Sequence, residues 1–538
     1  MRVKNEVVKK WFFLFLLLTQ GLQAQLTEGD VKKVIAQAAT RAEVISPNSL
    51  IAVVDTEGFV LGTWDVSGRR ANVGLTEPGL TVAVDVALAV SKAGTASYLS
   101  SNQNAFTSRT AGFIVGPNFP PGVRNRPPGP LVGVGLSNLC FSDGNKFKGP
   151  GTTIPRSTDY DANNFIVPIL GSQLFGSPGG VPLYKDGKLV GGIGVTGDST
   201  PAAYRTNLSD IDEDVALAGQ IGYQPNEEIR ATHVFIDGVS LPYVQSGTSL
   251  PRVKDFSDIR GEPVALYPIQ GSPASFPFVQ DRLGGNPGEI RREIKSDSRL
   301  SKIRGQARLS AEEVRSIISL AAARAKRTRA GIRLPRGQAA QVWITVVGNP
   351  NNNGASPEIL GIYRTDGATM FSYDVALQKA RTALFFSTDS FASSTRTVGF
   401  LAQPNYPPGL IGRPAGPYFG TQEKVSLTPG TADRARRLKS PQPGFALGIN
   451  PARDGFHPLP LNTNVPNGIT IFPGGFPLYR NGVLIGAIGV SGDGVDQDDL
   501  IAASGCRDFL APNSIRADQF TYRGARLPYA KFPRDPDL

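Results

Sequence analysis

Histidine, cysteine and methionine are nearly absent from this 538-residue chain, with 2 of each, and tryptophan occurs only 3 times. Two cysteines exclude both a disulfide framework and a four-cysteine zinc site. Two histidines leave little for imidazole acid–base chemistry, and no Ser-His-Asp arrangement, G-x-S-x-G or HExxH motif is present. Long hydrophobic runs are lacking too. The run Trp11 to Leu18 is eight residues long, whereas a membrane-spanning helix needs about 20, and no other run approaches that length.

That short run nevertheless has a reading. Arg2, Lys4, Lys9 and Lys10 precede it, and the small-residue segment Leu22-Gln23-Ala24 follows. A charged region, an apolar region and a small-residue site are the three parts of a secretory signal peptide. Residues 1–24 are therefore expected to be removed, leaving a periplasmic or secreted protein. Gly (61) and Pro (43) are plentiful, so long loops are expected, but 40% hydrophobic residues are ample for a folded core.

The net charge is +11, which raises the question of an anionic partner. Between Arg291 and Arg336 stand fourteen Lys or Arg against four acids. This segment is a candidate for docking on an anionic surface; the plainer reading is a solvated linker and helix face. Nucleic acid is not expected, because no nucleic-acid-binding module is recognisable.

An internal repeat organises the chain. Gly112-Phe-Ile-Val-Gly-Pro-Asn-Phe-Pro-Pro-Gly122 recurs as Gly399-Phe-Leu-Ala-Gln-Pro-Asn-Tyr-Pro-Pro-Gly409, and Gly180-Val-Pro-Leu-Tyr184 recurs as Gly475-Phe-Pro-Leu-Tyr479. Arg230-Ala231 recurs as Arg516-Ala517, 286 residues on. The expected organisation is a first module at 25–247 with an insertion at about 123–179, a linker at 248–305, and a second module at 306–538 with an insertion at about 410–474. Two copies are too few for a solenoid and suit two globular units packed as a pseudo-dimer, or a homo-oligomer.

Within each copy the local signals agree. Thr27 with Asp30, and Ser310 with Glu313, predict capping boxes opening amphipathic helices. Apolar strands follow at Leu50 to Val54 and Gln341 to Val347, then helices at Asp85 to Ala96 and Asp374 to Phe385. Asp186-Gly187 and Asn481-Gly482 predict type I′ hairpins, and further helices begin near Asp212 and Asp498. Gly192-Ile-Gly194-Val-Thr-Gly197 fits G-x-G-x-x-G formally, but it lies inside a hairpin strand rather than at a strand-to-helix turn, so it is not read as a dinucleotide site. Its glycines suit close approach of another backbone.

This order of elements resembles the GlcG/HbpS-like family. The resemblance rests on Asp374-Val-Ala-Leu-Gln-Lys-Ala-Arg-Thr-Ala383, the Gly-Gly-x-Pro-Leu-Tyr segments, the Asp-Gly or Asn-Gly turn and Ile488-Gly-Val-Ser-Gly492. It implies an α+β fold of two repeated modules, each an antiparallel sheet flanked by helices and here carrying a long Gly/Pro-rich insertion. It further implies oligomerisation and, in some members, binding of haem, corrinoid or iron.

Candidate ligand-binding residues follow. Haem iron takes an axial His, Cys, Met or Tyr, which singles out His457 in the second insertion and the repeat-equivalent Tyr184 and Tyr479. Lys92, Lys379 and Arg381 are cations able to pair with propionates. Asp210 and Glu213, repeated as Asp496 and Asp499, are oxygen ligands for a metal at i and i+3, or helix-capping acids. Three functions remain open: a small-molecule binder for haem, another tetrapyrrole or iron; a haem-degrading or redox accessory enzyme; and an oligomeric interaction protein without a ligand. Whether Cys140 and Cys506 form a disulfide is open as well.

Overall fold

The computed structural model describes residues 25–69, 80–131, 174–198, 208–419 and 464–538, apart from 117, 124, 128, 266, 274–277, 300, 336, 353–354 and 466–468. The signal segment, His457, Cys140 and most of both insertions lie outside the described residues.

The first module opens with α1 (Glu28–Ile45), capped by the reciprocal Thr27–Asp30 box. It continues through β1 (Leu50–Asp55), β2 (Val60–Asp65), α2 (Leu80–Tyr98), α3 (Ser108–Ile114), β3 (Gly180–Lys185), β4 (Lys188–Thr196) and α4 (Ile211–Gly219), and ends in a small hairpin of β5 (Phe235–Ile236) and β6 (Val239–Ser240). β1 pairs antiparallel with both β2 and β4, and β3 pairs with β4. The Asp186-Gly187 turn has φ of 52° and 73°, the left-handed pair that a type I′ hairpin demands.

β1 is buried along its whole length because helices cover both faces of the sheet. Ile51 and Val53 face Val31, Val34 and Ile35 of α1. Leu50, Ala52 and Val54 face Val86, Ala89, Val90 and Ala93 of α2. Two apolar faces in strict alternation make the strand read as an unbroken apolar run. The glycines of β4 have a matching role: a Cβ on Gly194 would lie 2.1 Å from the Ala89 carbonyl oxygen and one on Gly192 2.4 Å from that of Ala93. They let α2 sit directly on the strand.

Residues 248–305, expected to be a linker, carry three strands. β7 (Glu262–Pro263) extends the first sheet beyond β2. β8 (Val279–Leu283) and β9 (Asn286–Arg292) form a hairpin whose second strand pairs with the strand Ile359–Thr365 of the second sheet. This stretch has no strict alternation of apolar residues, so its pairing depends on the sheet edges it meets.

The second module repeats the first: α5 (Ala311–Ala325), β10 (Trp343–Gly348), β11 (Ile359–Thr365), α6 (Ser372–Phe385), α7 (Thr395–Leu401), β12 (Gly475–Arg480), β13 (Val483–Ser491), α8 (Val495–Gly505) and the hairpin β14 (Thr521–Tyr522) with β15 (Ala525–Arg526). The sheet orders are β3-β4-β1-β2-β7 and β12-β13-β10-β11-β9-β8. Both modules are thus α+β units with antiparallel sheets.

The modules meet through unlike surfaces. The first presents the end of α2 and the turn after it: the Tyr98 carbonyl accepts from Phe371 N–H at 3.4 Å, and Asn104 Oδ1 accepts from Arg333 at 2.7 Å. Glu57, in the β1–β2 turn, pairs with Arg291 at 2.7 Å. The second module presents the start of β10, the end of β11 and the start of α6, so that Trp343, Ile362, Met370 and Phe371 share one core with Tyr98, Leu99 and Phe106. None of these second-module residues is the repeat counterpart of a first-module contact.

Candidate functional site

The two lysines marked by the repeat sit at equivalent places. Lys92, on α2, reaches the start of α4 and pairs with Asp212 at 2.7 Å while donating to the Val195 carbonyl at 2.8 Å. Lys379, on α6, pairs with Asp498 at 2.7 Å and donates to the Val490 carbonyl at 2.8 Å. Both pairs are buried. Burial pushes the Lys379 ammonium down, against the pull of Asp498. It pushes the Asp498 carboxyl up to about 6, against Lys379, and raises Asp212 against Lys92.

The Gly-Gly step of the repeated Gly-Gly-x-Pro-Leu-Tyr segment exists to admit these pairs. Gly179 and Gly474 adopt φ of 110° and 114°, where side chains are strained. A Cβ at either would come within 3.1 Å of the lysine Nζ. A Cβ on Gly180 would lie 2.2 Å from the Lys92 carbonyl oxygen, and one on Gly475 2.4 Å from that of Lys379.

A second buried pair stands beside each lysine. Arg109 makes a two-pronged bond to Glu213 at 2.7 and 2.9 Å, and Glu213 also accepts from the backbone N–H of Gln245 and Ser246. In the second module Arg396 bridges Asp499 and Asp496, and Asp499 also accepts from Gly474 N–H and Lys531 N–H. Burial pushes the Asp499 carboxyl up to about 6, against Arg396. These bonds tie α3 and α7 and the tail of each module to the acidic helix.

The structure therefore redistributes the candidates. Asp210 caps α4, accepting from Glu213 N–H at 3.2 Å. Glu213, Asp496 and Asp499 are ion-pair partners, and among the described residues no group of three or more His, Cys, Asp or Glu is placed to hold a metal ion. The acidic pattern was ambiguous in sequence because capping and coordination use the same side chains. The Tyr184 hydroxyl donates to the carbonyls of Ser101 or Asn104, and that of Tyr479 to Thr388. Burial pushes both phenols up. Arg381 is buried on α6. His233 is exposed, and Cys506 is a buried free thiol.

The basic stretch is also largely consumed internally. Arg291 pairs with Glu57 and Glu289, Lys295 with Glu358, Arg299 and Arg308 with Asp297, Arg304 with Asp389, and Arg315 with Asp281. Arg324 pairs with Asp537 and Arg333 with Asp493. The composition shows the cations; Glu289 and Asp297 are near them in sequence, but Glu57, Glu358, Asp389, Asp493 and Asp537 are distant and become visible as partners only on folding.

Sequence reasoning missed Arg109, Arg396, Asp212 and Asp498. A signal existed: Arg109 and Arg396 lie 287 residues apart, and Asp212 and Asp498 lie 286 apart, in register with the repeat. Tested against haem, the described residues do not fit. Lys92 and Lys379 are taken by Asp212 and Asp498, Glu213, Asp496 and Asp499 by Arg109 and Arg396, the tyrosine hydroxyls donate to backbone, and His233 is exposed.

No curated protein matches the chain. Among solved structures, a PduOC–haem complex is similar at 19% identity, over 37% of this chain and 94% of that one, with a TM-score of 0.21. The ORFY protein of Klebsiella pneumoniae is similar at 20% identity, over 39% and 95%, with a TM-score of 0.23. A double mutant of HbpS from Streptomyces reticuli is similar at 19% identity, over 39% and 92%, with a TM-score of 0.19. The family model described as "Haem degrading protein HbpS-like" matches residues 309–507. The HbpS-like domain of the chain is therefore residues 309–507, which hold the Lys379–Asp498 pair and the Gly474-Gly475 step.

Proposed function

We propose that this is an exported, non-catalytic small-molecule-binding protein whose ligand class is haem, another tetrapyrrole or iron. The observation that carries the reading is the HbpS-like match over residues 309–507. Export is supported by the charged, apolar and small-residue segments of residues 1–24. The internal use of Lys92, Lys379, Asp498 and Asp499 argues that ligand contacts fall to other groups, of which His457 is the one to test.

The test is a haemin titration of the chain beginning at Gln25, followed by its Soret absorption. A saturable shift that disappears in His457→Ala and persists in Asp496→Ala supports haem ligation by His457. No shift in the wild type overturns the haem reading. A second reading, an interaction protein assembled through its modules, is favoured by one observation: Phe385 and Phe520 stand exposed on the second module.

A further inference from the structure

A proline-rich arch follows α3 and α7 and is built the same way in both modules. In the second, Tyr406 N–H donates to the Pro414 carbonyl at 2.9 Å and Gly416 N–H to that of Gln403 at 2.9 Å; in the first, Phe119 N–H donates to Pro127 at 2.8 Å and Gly129 N–H to Gly116 at 2.9 Å. Gly409 and Gly412 turn the second apex with φ of 87° and 83°, and Leu410 N–H closes it on the Pro407 carbonyl at 3.2 Å. The underside is packed, with Tyr406 buried and edge to face with both Phe400 and Tyr522. The apex points outward: Leu410 is 49% and Ile411 92% exposed. Single exposed aliphatics are ordinary, but this is an adjacent pair at the convex tip of a hydrogen-bonded loop.

Cations accompany the tip. Arg523, in the turn of the β14–β15 hairpin, donates to the Ala415 carbonyl at 3.0 Å and so fastens the hairpin to the arch. Among the described residues Arg413 has no ion-pair or hydrogen-bond partner, and Arg523 has none that is acidic. Arg526 stands 3.8 Å from an Asp518 carboxylate that Arg516 already holds at 2.6 Å. Residues 401–419 and 520–526 contain no acid.

The repeat shows that these features are not required by the module. Where the second copy has Ile411, Arg523 and Arg526, the first has Arg124, Asp237 and Ser240. The second copy therefore has an aliphatic side chain at the apex in place of a cation, and two cations on the hairpin in place of an acid and a hydroxyl.

We propose that the Leu410–Ile411 apex of the second module, with Arg413, Arg523 and Arg526, docks the protein on an anionic phospholipid bilayer. A protein partner would have to bring a pocket shaped to this tip, whereas the headgroup region of a bilayer admits an apolar tip of any shape and sets phosphates level with flanking arginines. The Arg523 guanidinium lies over the Tyr522 ring at 5.1 Å, keeping its charge at the rim while its stem covers apolar surface. This surface is separate from the stretch between Arg291 and Arg336, whose cations are largely paired within the chain, and it does not depend on haem.

The test is cosedimentation of the chain beginning at Gln25, without haemin, with vesicles of phosphatidylcholine alone or of phosphatidylcholine with an equal part of phosphatidylglycerol. Wild type is expected to sediment with the anionic vesicles and to stay in solution with the neutral ones. Ile411→Ser should weaken binding roughly tenfold, as for loss of one buried aliphatic side chain. Arg523→Gln should weaken it about fivefold, the share of one cation at an anionic surface. Val123→Ser, at the first-module counterpart of Leu410, should leave it unchanged. All three positions are exposed, and thermal unfolding matching wild type confirms that the variants fold. Trp64 and Trp343, the tryptophans of this chain, are buried, so Ile411→Trp reports on the apex, and its emission should move to shorter wavelength with anionic vesicles. No binding to anionic vesicles overturns the proposal, as does equal binding to neutral ones or an emission that does not move. Unchanged binding of Ile411→Ser or Arg523→Gln, or an equal loss in Val123→Ser, overturns the assignment to this apex. An emission that shifts with protein concentration alone, without vesicle binding, assigns the apex to contact between copies and likewise overturns the lipid reading.

Discussion

Lys379→Met separates a ligand-binding lysine from a structural one. The Lys379 and Asp498 side chains are 1% and 5% exposed, so solvent screening does little to weaken their pairing. Removing one partner strands Asp498, whose second oxygen, Oδ1, already lacks a hydrogen-bond partner. Breaking a buried pair in this way costs about 3–5 kcal/mol. At about 2–4 °C per kcal/mol for a unit of module size, the melting temperature should fall by roughly 6–20 °C. Lys379→Met/Asp498→Asn removes both charges and should recover to within about 2 kcal/mol of wild type, because neutral groups of similar volume replace a buried pair at little cost. The Val490 carbonyl loses the same donor in both variants, so that loss cancels between them. Urea denaturation followed by circular dichroism of the wild type, Lys379→Met, Asp498→Asn and the double variant measures all four free energies. A Lys379→Met cost below about 1 kcal/mol, the range of an exposed pair, would refute the structural assignment. So would a double variant as unstable as the sum of the two single ones.

Gly474→Ala should be more damaging than an ordinary surface substitution: φ is 114° and the added Cβ would lie 2.6 Å from the Val490 oxygen and 2.8 Å from Asp498 Cβ. A loss of more than about 2 kcal/mol is expected in the same urea assay, and a near-neutral result would refute the close approach described for this turn. The pH dependence has a definite sign. Burial raises the folded-state values of Asp498 and Asp499 to about 6, above the unfolded carboxyl value of about 3.9, so the folded chain binds more protons between those pH values. The contribution of these groups to stability therefore falls as pH rises from about 4 to 6 and is flat above. Asp499→Asn should remove part of that slope in melting curves, and an unchanged slope would count against it. Asp30 works in the opposite direction: although burial raises it, hydrogen bonds from Tyr223, Thr27 and Lys185 hold it well below the usual range. Its stabilisation is lost only as pH falls below about 4.

Local chemistry made much of the fold legible. The Thr27–Asp30 and Ser310–Glu313 boxes cap the helices expected of them. Asp186-Gly187 and Asn481-Gly482 close their hairpins with both residues at positive φ, since few other pairs tolerate that geometry. The repeat made the rest transferable, because a pattern ambiguous in one copy was constrained by its twin. The β7–β9 strands could not be read in this way. They have no copy elsewhere, and their strand character comes from pairing with β2 and β11.

By itself, the sequence determined that the chain contains two copies of one α+β module, where the helices and hairpins of each copy begin, and that its cations are concentrated between Arg291 and Arg336. These are properties of local spacing, turn stereochemistry and composition, and they need no knowledge of distant neighbours. Tertiary structure decided what the charged residues do. Lys92 meets Asp212, Lys379 meets Asp498 and Arg291 meets Glu57 across separations of 120, 119 and 234 residues. A lysine bound for solvent, a ligand or a buried carboxylate has the same sequence signature. Which it becomes depends on the groups that the packed helices and sheet bring within 3 Å and on the water they exclude.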